Sequence, residues 1–342
     1  MHRRLRSAAR VLLRGEARES RQTPVPDITP QELREIKKFF PRDKFFILGH
    51  ARSGTTLLMR LLRLHPEVHC NYQAHFFTRR PLLKSLVDTP EAEEWLTRKS
   101  NRWNHGGDLS ALVLRAAADF IMEREAAVEG KRIVGDKSPS STIHGQALLD
   151  LHSLYPDARV VYIVRDGRDV LISERFRNFV EESRFLNPED KTIMQRLTHN
   201  PQAFGYGKSS IFTETTIRRA ALGWATNVSE IDAEGKRLFG TRYHALRFED
   251  LLADPIEELR LLWTFLGARR AGQPVAKAVY REIKSNPDEE WQARRNESLA
   301  PRMLKGRVGS WRQLLTHGDR EVFKSLAGRA LVDWRYETSL DW

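Results

Sequence analysis

Several stretches of this sequence combine residue types and spacing that can hold anions and move protons. The first is Gly49-His50-Ala51-Arg52-Ser53-Gly54-Thr55-Thr56, which follows the apolar run Phe45 to Leu48 and precedes Leu57, Leu58, Leu61 and Leu62 at helical spacing. That order predicts strand, loop and helix. Small residues leave backbone N–H groups open at the helix N-terminus, where the dipole also favours negative charge, so a phosphate is the expected occupant. The G-x-x-x-x-G spacing is that of a phosphate-binding loop, but Thr55, followed by Thr56, stands where such loops carry Lys. A loop of this kind still cradles a phosphate and lacks the group that reaches along a triphosphate. The plainer alternative is a strand-to-helix turn that binds nothing.

The second stretch is Lys131 to Ser141, in which Ile133 and Val134 predict a short strand and Gly135-Asp136-Lys137-Ser138-Pro139 a polar turn. Asp136 and Lys137 are an acid and a base side by side at a strand's C-terminal end, where α/β folds place their chemistry. A surface turn with a helix-capping Asp would look the same. The third, Arg159 to Ser173, contains the continuous apolar run Val160 to Val164 of a buried parallel strand. Arg165 sits at its end, and Ser173 follows eight residues on, along a helix. Alternatively, Arg165 pairs with Asp166. A fourth stretch, Leu304 to Trp311, is basic and Gly-spaced and holds Lys305 and Gly306; it reads as an anion-covering loop or as a surface crossover. His75, within Asn71 to Phe77, is a titratable group expected near the first loop.

The elements that must position these groups alternate as strand, helix, strand, helix, which predicts an α/β fold with a mostly parallel central sheet flanked by helices in three layers. Residues 1–28 read as a basic extension and linker, with Pro24 and Pro26 in the linker, and 29–342 as a single domain. Thr29-Pro30-Gln31-Glu32 has the pattern of a capping box opening a helix to Phe40. The polar residues 182–210 predict a mobile loop inserted on the substrate side.

The 342 residues are 40% apolar, enough for a sizeable core, and no window approaches a membrane span. The N-terminus predicts no signal peptide, and the single cysteine, Cys70, gives no intrachain disulfide and no Cys-based metal cluster. A cytoplasmic protein is therefore expected. Lys and Arg number 57 against 45 acidic residues, a formal charge of +12. Seven of the arginines lie in residues 1–22 with Glu16 and Glu19, so this tail carries +5 and the body +7. The tail reads as a solvated extension or as a loose contact for an anionic membrane surface or nucleic acid. The body's excess suits a nucleotide with several phosphates, and no motif supports nucleic acid.

Taken together, the four stretches resemble the sulfotransferases that use 3'-phosphoadenosine 5'-phosphosulfate (PAPS), strongly over Lys44 to Phe179 and moderately over Arg242 to Thr316. Arg52-Ser53-Gly54-Thr55-Thr56 resembles the family's 5'-phosphosulfate loop, and Arg165 with Ser173 the pair that holds the 3'-phosphate. Lys305-Gly306 with Gly309-Ser310-Trp311 resembles the loop that covers the nucleotide, with Leu304 where an Arg often stands. Phe248-Glu249-Asp250-Leu251 resembles a common Tyr-Glu-Asp segment with Phe in place of Tyr.

The resemblance implies a P-loop-like fold, PAPS as co-substrate without a metal, and transfer of a sulfuryl group to a hydroxyl or amine acceptor by in-line displacement. It also implies charge stabilisation by Lys137 and Arg52 and an acidic base at Asp136, which stands where related enzymes have Glu. His75 is the rival base, because the tyrosine-protein-type carboxylate position, near Asn71 to His75, holds no acid here. Arg79, Arg80, Arg175 and Arg177 hint at an acidic acceptor. Two other functions fit parts of the pattern. One is a P-loop kinase or nucleotide hydrolase, with Val160 to Val164 and Asp166 as its second motif; the other is a non-catalytic adenine-nucleotide-binding protein.

Overall fold

The computed structural model describes residues 21–78, 83–97, 100, 102–140, 145–269, 274–285 and 308–342. Its strands are β1 (Asp43–Leu48), β2 (Val68–Tyr72), β3 (Ile133–Lys137), β4 (Arg159–Val164) and β5 (Tyr243–Arg247). They form one sheet in the order β2-β3-β1-β4-β5, with every neighbouring pair parallel. This is the predicted α/β architecture. The strands read as unbroken apolar runs because both faces are covered. Phe45, Ile47, Val161 and Ile163 enter one core cluster, while Phe46, Leu48, Val160, Tyr162 and Val164 enter the other.

The helices are α1 (Pro30–Phe39), α2 (Thr55–Leu62), α3 (Pro90–Thr97), α4 (Ser110–Val128), α5 (Gly145–Leu154), α6 (Gly167–Glu181) and α7 (Pro188–His199). Then come α8 (Glu214–Phe239), α9 (Phe248–Ala253), α10 (Pro255–Phe265), α11 (Pro274–Lys284), α12 (Trp311–Leu314) and α13 (His317–Asp333). Helices α2 and α10 close one face of the sheet, where Leu58, Leu61 and Leu62 meet Leu259 and Leu262. Helices α4, α5, α6, α8 and α13 close the other. The capping box at Thr29 is formed, with Glu32 as its partner. Among the described residues, no helix is long and apolar enough to cross a membrane.

Three local expectations change. Residues 188–199 are not loop but α7, because Asn187 accepts a hydrogen bond from the Asp190 amide and Pro188 fits the first turn. The stretch read as a linker is docked from residue 21 onward. Arg21 pairs with Asp108 and Ser110, Glu93 accepts the Gln22 and Thr23 amides at 2.9 and 3.0 Å, and Ile28 is buried. Finally, β3 runs through Asp136 and Lys137, so these residues lie in a strand and not in a turn.

At the opposite end of the strands from these groups, the helix layer buries a charge network. Arg115, fully buried, donates to Asp119 (2.9 Å), the Leu154 carbonyl (2.7 Å) and Asp157 (3.0 Å), with Tyr155 OH donating to Asp119 at 2.9 Å. Lys44 adds a bond to Glu123 at 2.7 Å. Removing one member strands the others in a dry setting, which costs about 3–5 kcal/mol. Arg115→Ala is therefore expected to lower the thermal midpoint by roughly 4–7 °C, read by calorimetry, given an unfolding entropy of about 2.1 cal/mol/K per residue.

Candidate active site

The site follows from the strand order. β1 is central, so the loop that leaves it emerges between the ends of β3 and β4, and connections diverge to either side. Such a crevice is where open α/β sheets bind ligands. Gly49 allows the loop to pass β4 closely, since a Cβ there would lie 2.8 Å from the Ile163 carbonyl oxygen. Gly54 has φ +88°, and a Cβ on it would meet the Phe248 ring at 2.3 Å. Phe248 is thus the wall behind the loop.

Gly54 is the N-cap of α2 and offers no capping side chain, which leaves the first amides of the helix for another acceptor. Ser53 is fully buried, and its Oγ has no hydrogen-bond partner among the described residues. Buried hydroxyls are normally satisfied, so this one fits an anionic ligand whose oxygens reach the loop. Arg52 adopts φ +71°, a left-handed backbone that costs a non-glycine residue about 1–2 kcal/mol.

Three residues far apart in the chain converge on this loop. The Arg165 guanidinium donates to the Arg52 carbonyl at 3.2 Å and lies 5.1 Å from the centre of the Phe248 ring. Arg52 Nε donates to Ser173 Oγ at 3.1 Å. Burial holds the Arg52 pKa below its usual value; Glu181 and Glu174 oppose this, while Arg177 and Arg165 reinforce it by repulsion. Gathered cations next to open amides form a site that an anion relieves.

Asp136 and Lys137 part company because successive strand side chains point to opposite faces. Lys137 turns toward α2. It is fully buried, donates to Thr56 Oγ1 at 3.2 Å and lies 3.8 Å from the centre of the Tyr72 ring. Burial pulls its pKa down to about 8 against the opposing influence of Cys70 and Asp136. Asp136 turns the other way and holds the chain after β2. One carboxylate oxygen accepts the Ala74 amide at 3.0 Å and the other the Ser138 hydroxyl, whose oxygen in turn accepts the His75 amide at 2.8 Å. Burial raises the Asp136 pKa, while these hydrogen bonds and Lys137 lower it. His75 is buried, with Nδ1 2.8 Å from Thr78 Oγ1.

Lys305 and Gly306 lie outside the described residues, as do Arg79 and Arg80. Just beyond, Asp169 accepts the amides of Gly309 (2.6 Å) and Trp311 (3.1 Å). Arg168 is packed between the rings of Trp311 and Trp342, at 3.8 and 4.6 Å, and pairs with Asp166 and Glu337. Sequence reasoning did not single out Asp169, Arg168 or Tyr72. The doubled charge pattern Arg165-Asp166-Gly167-Arg168-Asp169 was the one available signal. Arg175 is not at a substrate surface: it is buried, bonded to Asp190 and the Ile211 carbonyl.

Residues 43–271, most of the chain, match the sequence profile of the sulfotransferase family. This chain belongs to that family. Nodulation protein NoeE of Sinorhizobium fredii is 27% identical over 313 residues, which are 86% of this chain and 66% of that protein. Protein-tyrosine sulfotransferase A of Caenorhabditis elegans is 32% identical over 127 residues, 36% of this chain and 30% of that protein. The chain thus spans just under two thirds of the first of these relatives and under a third of the second. Among solved structures, mouse sulfotransferase SULT7A1 complexed with PAP aligns at 15% identity and a TM-score of 0.46, covering 90% of this chain and 94% of that one.

In this family member, the wall behind the loop is open to test. Gly54→Ala adds both a left-handed alanine and a clash with Phe248, together roughly 2–5 kcal/mol. Chemical denaturation should show that loss, and adding Phe248→Leu should recover the steric share alone.

Proposed function

We propose that this chain transfers the sulfuryl group of PAPS to a hydroxyl or amine acceptor by in-line displacement. The observation that carries the reading is the meeting of Arg165, Arg52 and Ser173 at a helix N-terminus whose buried Ser53 hydroxyl lacks a partner. Two anion positions belong to one crevice. The amides of Gly54 to Thr56 with Ser53 would hold the 5'-phosphosulfate, and Arg165 with Ser173 the 3'-phosphate. PAPS supplies the sulfuryl group and leaves as 3',5'-bisphosphoadenosine.

Within that frame, Arg52 and Lys137 oppose the charge that grows on the oxygen bridging sulfur and the 5'-phosphate as the S–O bond breaks. Lys137 already bonds Thr56 on the first turn of α2, so it acts from the same wall as the amides. Thr55 stands where a lysine would reach along a triphosphate, which separates this loop from that of a kinase. Family membership agrees with the reading. The binding claim has a direct test. 3',5'-Bisphosphoadenosine without Mg²⁺ should raise the thermal midpoint, by RT ln(1 + [L]/Kd) in free energy, and more than ATP with Mg²⁺. Arg165→Ala should weaken its binding by roughly 100-fold, the worth of two charge-assisted bonds at about 1.5 kcal/mol each. Equal stabilisation by Mg·ATP would overturn the assignment.

We assign the acceptor's proton to Asp136. It lies near the C-terminal end of β3, paired in register with the strand that leads into the phosphate loop, burial makes it more basic, and its carboxylate retains lone pairs beyond the two in use. The fact that both of its oxygens brace the turn favours a second reading, in which Asp136 only holds the site in shape. Asp136→Asn separates the two in steady-state kinetics: loss of a base lowers kcat by about 10²- to 10⁴-fold. Loss of a brace would lower stability and raise KM, with kcat within a few-fold of wild type.

A further inference from the structure

Tyr72 closes β2, the edge strand nearest Lys137, and pairs with Lys137 in the parallel register. It is 61% exposed, yet its ring lies 3.8 Å from an ammonium that is itself fully buried. An exposed aromatic is ordinarily free to turn away; this one lies over a charge. The only hydrogen bond found for Nζ among the described residues is to Thr56 Oγ1 at 3.2 Å, although an ammonium has three donors. The ring face takes one of the remaining directions, because aromatic faces attract cations. The titratable groups acting on Lys137 are Asp136, on the same strand, and Cys70, on β2.

We infer that Tyr72 is a positioning residue for Lys137: its ring keeps water off the ammonium and, together with Thr56, holds it against the phosphate loop. The inference rests on the proposed role of Lys137 in sulfuryl transfer. It assigns the function to the ring and not to the hydroxyl. Burial and attraction act on the ammonium in opposite senses, which makes the two contributions separable. Burial disfavours the charged form and accounts for a pKa near 8 in place of 10.5. The ring's negative face favours the charged form.

Three variants distinguish these effects. Tyr72→Phe keeps cover and attraction and should leave the Lys137 midpoint unchanged. Tyr72→Leu keeps the cover but removes the attraction, so the midpoint should fall by about 0.5–1 pH unit. Tyr72→Ala removes both and admits water, so the midpoint should rise by about one unit toward the free value. The midpoint is read by ¹³C NMR titration of lysine Cε, with the Lys137 resonance assigned through Lys137→Arg, and this needs no turnover. In parallel, kcat with PAPS should fall about tenfold in the Ala variant, remain near wild type in Phe, and lose activity at a lower pH in Leu. Affinity for 3',5'-bisphosphoadenosine should stay near wild type in Phe and weaken in Ala, because the oxygen that Lys137 opposes becomes a charged 5'-phosphate oxygen of that product. Leu and Ala midpoints that fail to move in opposite directions, or a Phe variant that behaves like Ala, overturn the inference. If the midpoints move as stated but wild-type protein neither binds 3',5'-bisphosphoadenosine nor turns over PAPS, the sulfuryl-transfer reading has failed and the cover has not.

Discussion

The hydrogen bond from Arg165 to the Arg52 carbonyl ties the end of β4 to the loop that follows β1, and the organisation of the site depends on it. It brings the Arg165 guanidinium to the backbone of Arg52, whose own guanidinium is buried and feels its repulsion. Like charges repel more strongly as the surroundings become drier. Glu181 and Glu174 act against that repulsion, Glu181 more strongly than either Arg177 or Arg165 alone. The left-handed backbone at Arg52 belongs to the same arrangement, because it turns that carbonyl toward Arg165 while the side chain reaches Ser173. Backbone strain of this kind persists only where surrounding contacts over-determine the conformation. Here the Phe248 ring behind Gly54 and the Ile163 carbonyl beside Gly49 supply those contacts.

The junction of β4 and α6 extends the hold to the end of the chain. Arg165 serves the loop, Asp166 caps α6 and pairs with Arg168, and Asp169 takes the Gly309 and Trp311 amides. Glu249, next to Phe248, accepts both the Asp166 amide and the Tyr336 hydroxyl, at 3.1 and 2.8 Å. The wall behind the phosphate loop, the start of α6 and the segment after α13 are therefore one connected body. A reacting group loses much of its advantage when misplaced by an ångström, so this interlocking is how a loop of small residues obtains precision.

The legible part of the site was the part written in local spacing. Apolar runs followed by small or charged residues gave the strands and their ends, and the Arg165-to-Ser173 interval placed both side chains on one helix-and-strand junction. What local spacing could not express was direction. Adjacent Asp136 and Lys137 looked like an acid–base pair, but a strand sends neighbours to opposite faces, and only the extension of β3 from Val134 through Lys137 made them strand. Arg175 looked like a surface charge because nothing nearby in sequence announces Asp190 as its partner. The polar stretch after α6 looked like loop because the pattern of α7 is dominated by solvated residues, and an Asn-Pro pair such as Asn187-Pro188 serves a turn as readily as a helix start.

By itself, the sequence determined the layered α/β architecture and the anion-binding character of the loop after β1, because both arise from contacts within a few residues: helical or strand periodicity, and bare amides at a helix start. Only the tertiary structure decided that β1 is the central strand, and that order alone brings Arg165 and Ser173 to the loop. It also decided that Lys137 is dry beneath Tyr72 while Asp136 braces a turn. Ionisation and orientation depend on what surrounds a group in space, and those neighbours come from distant parts of the chain.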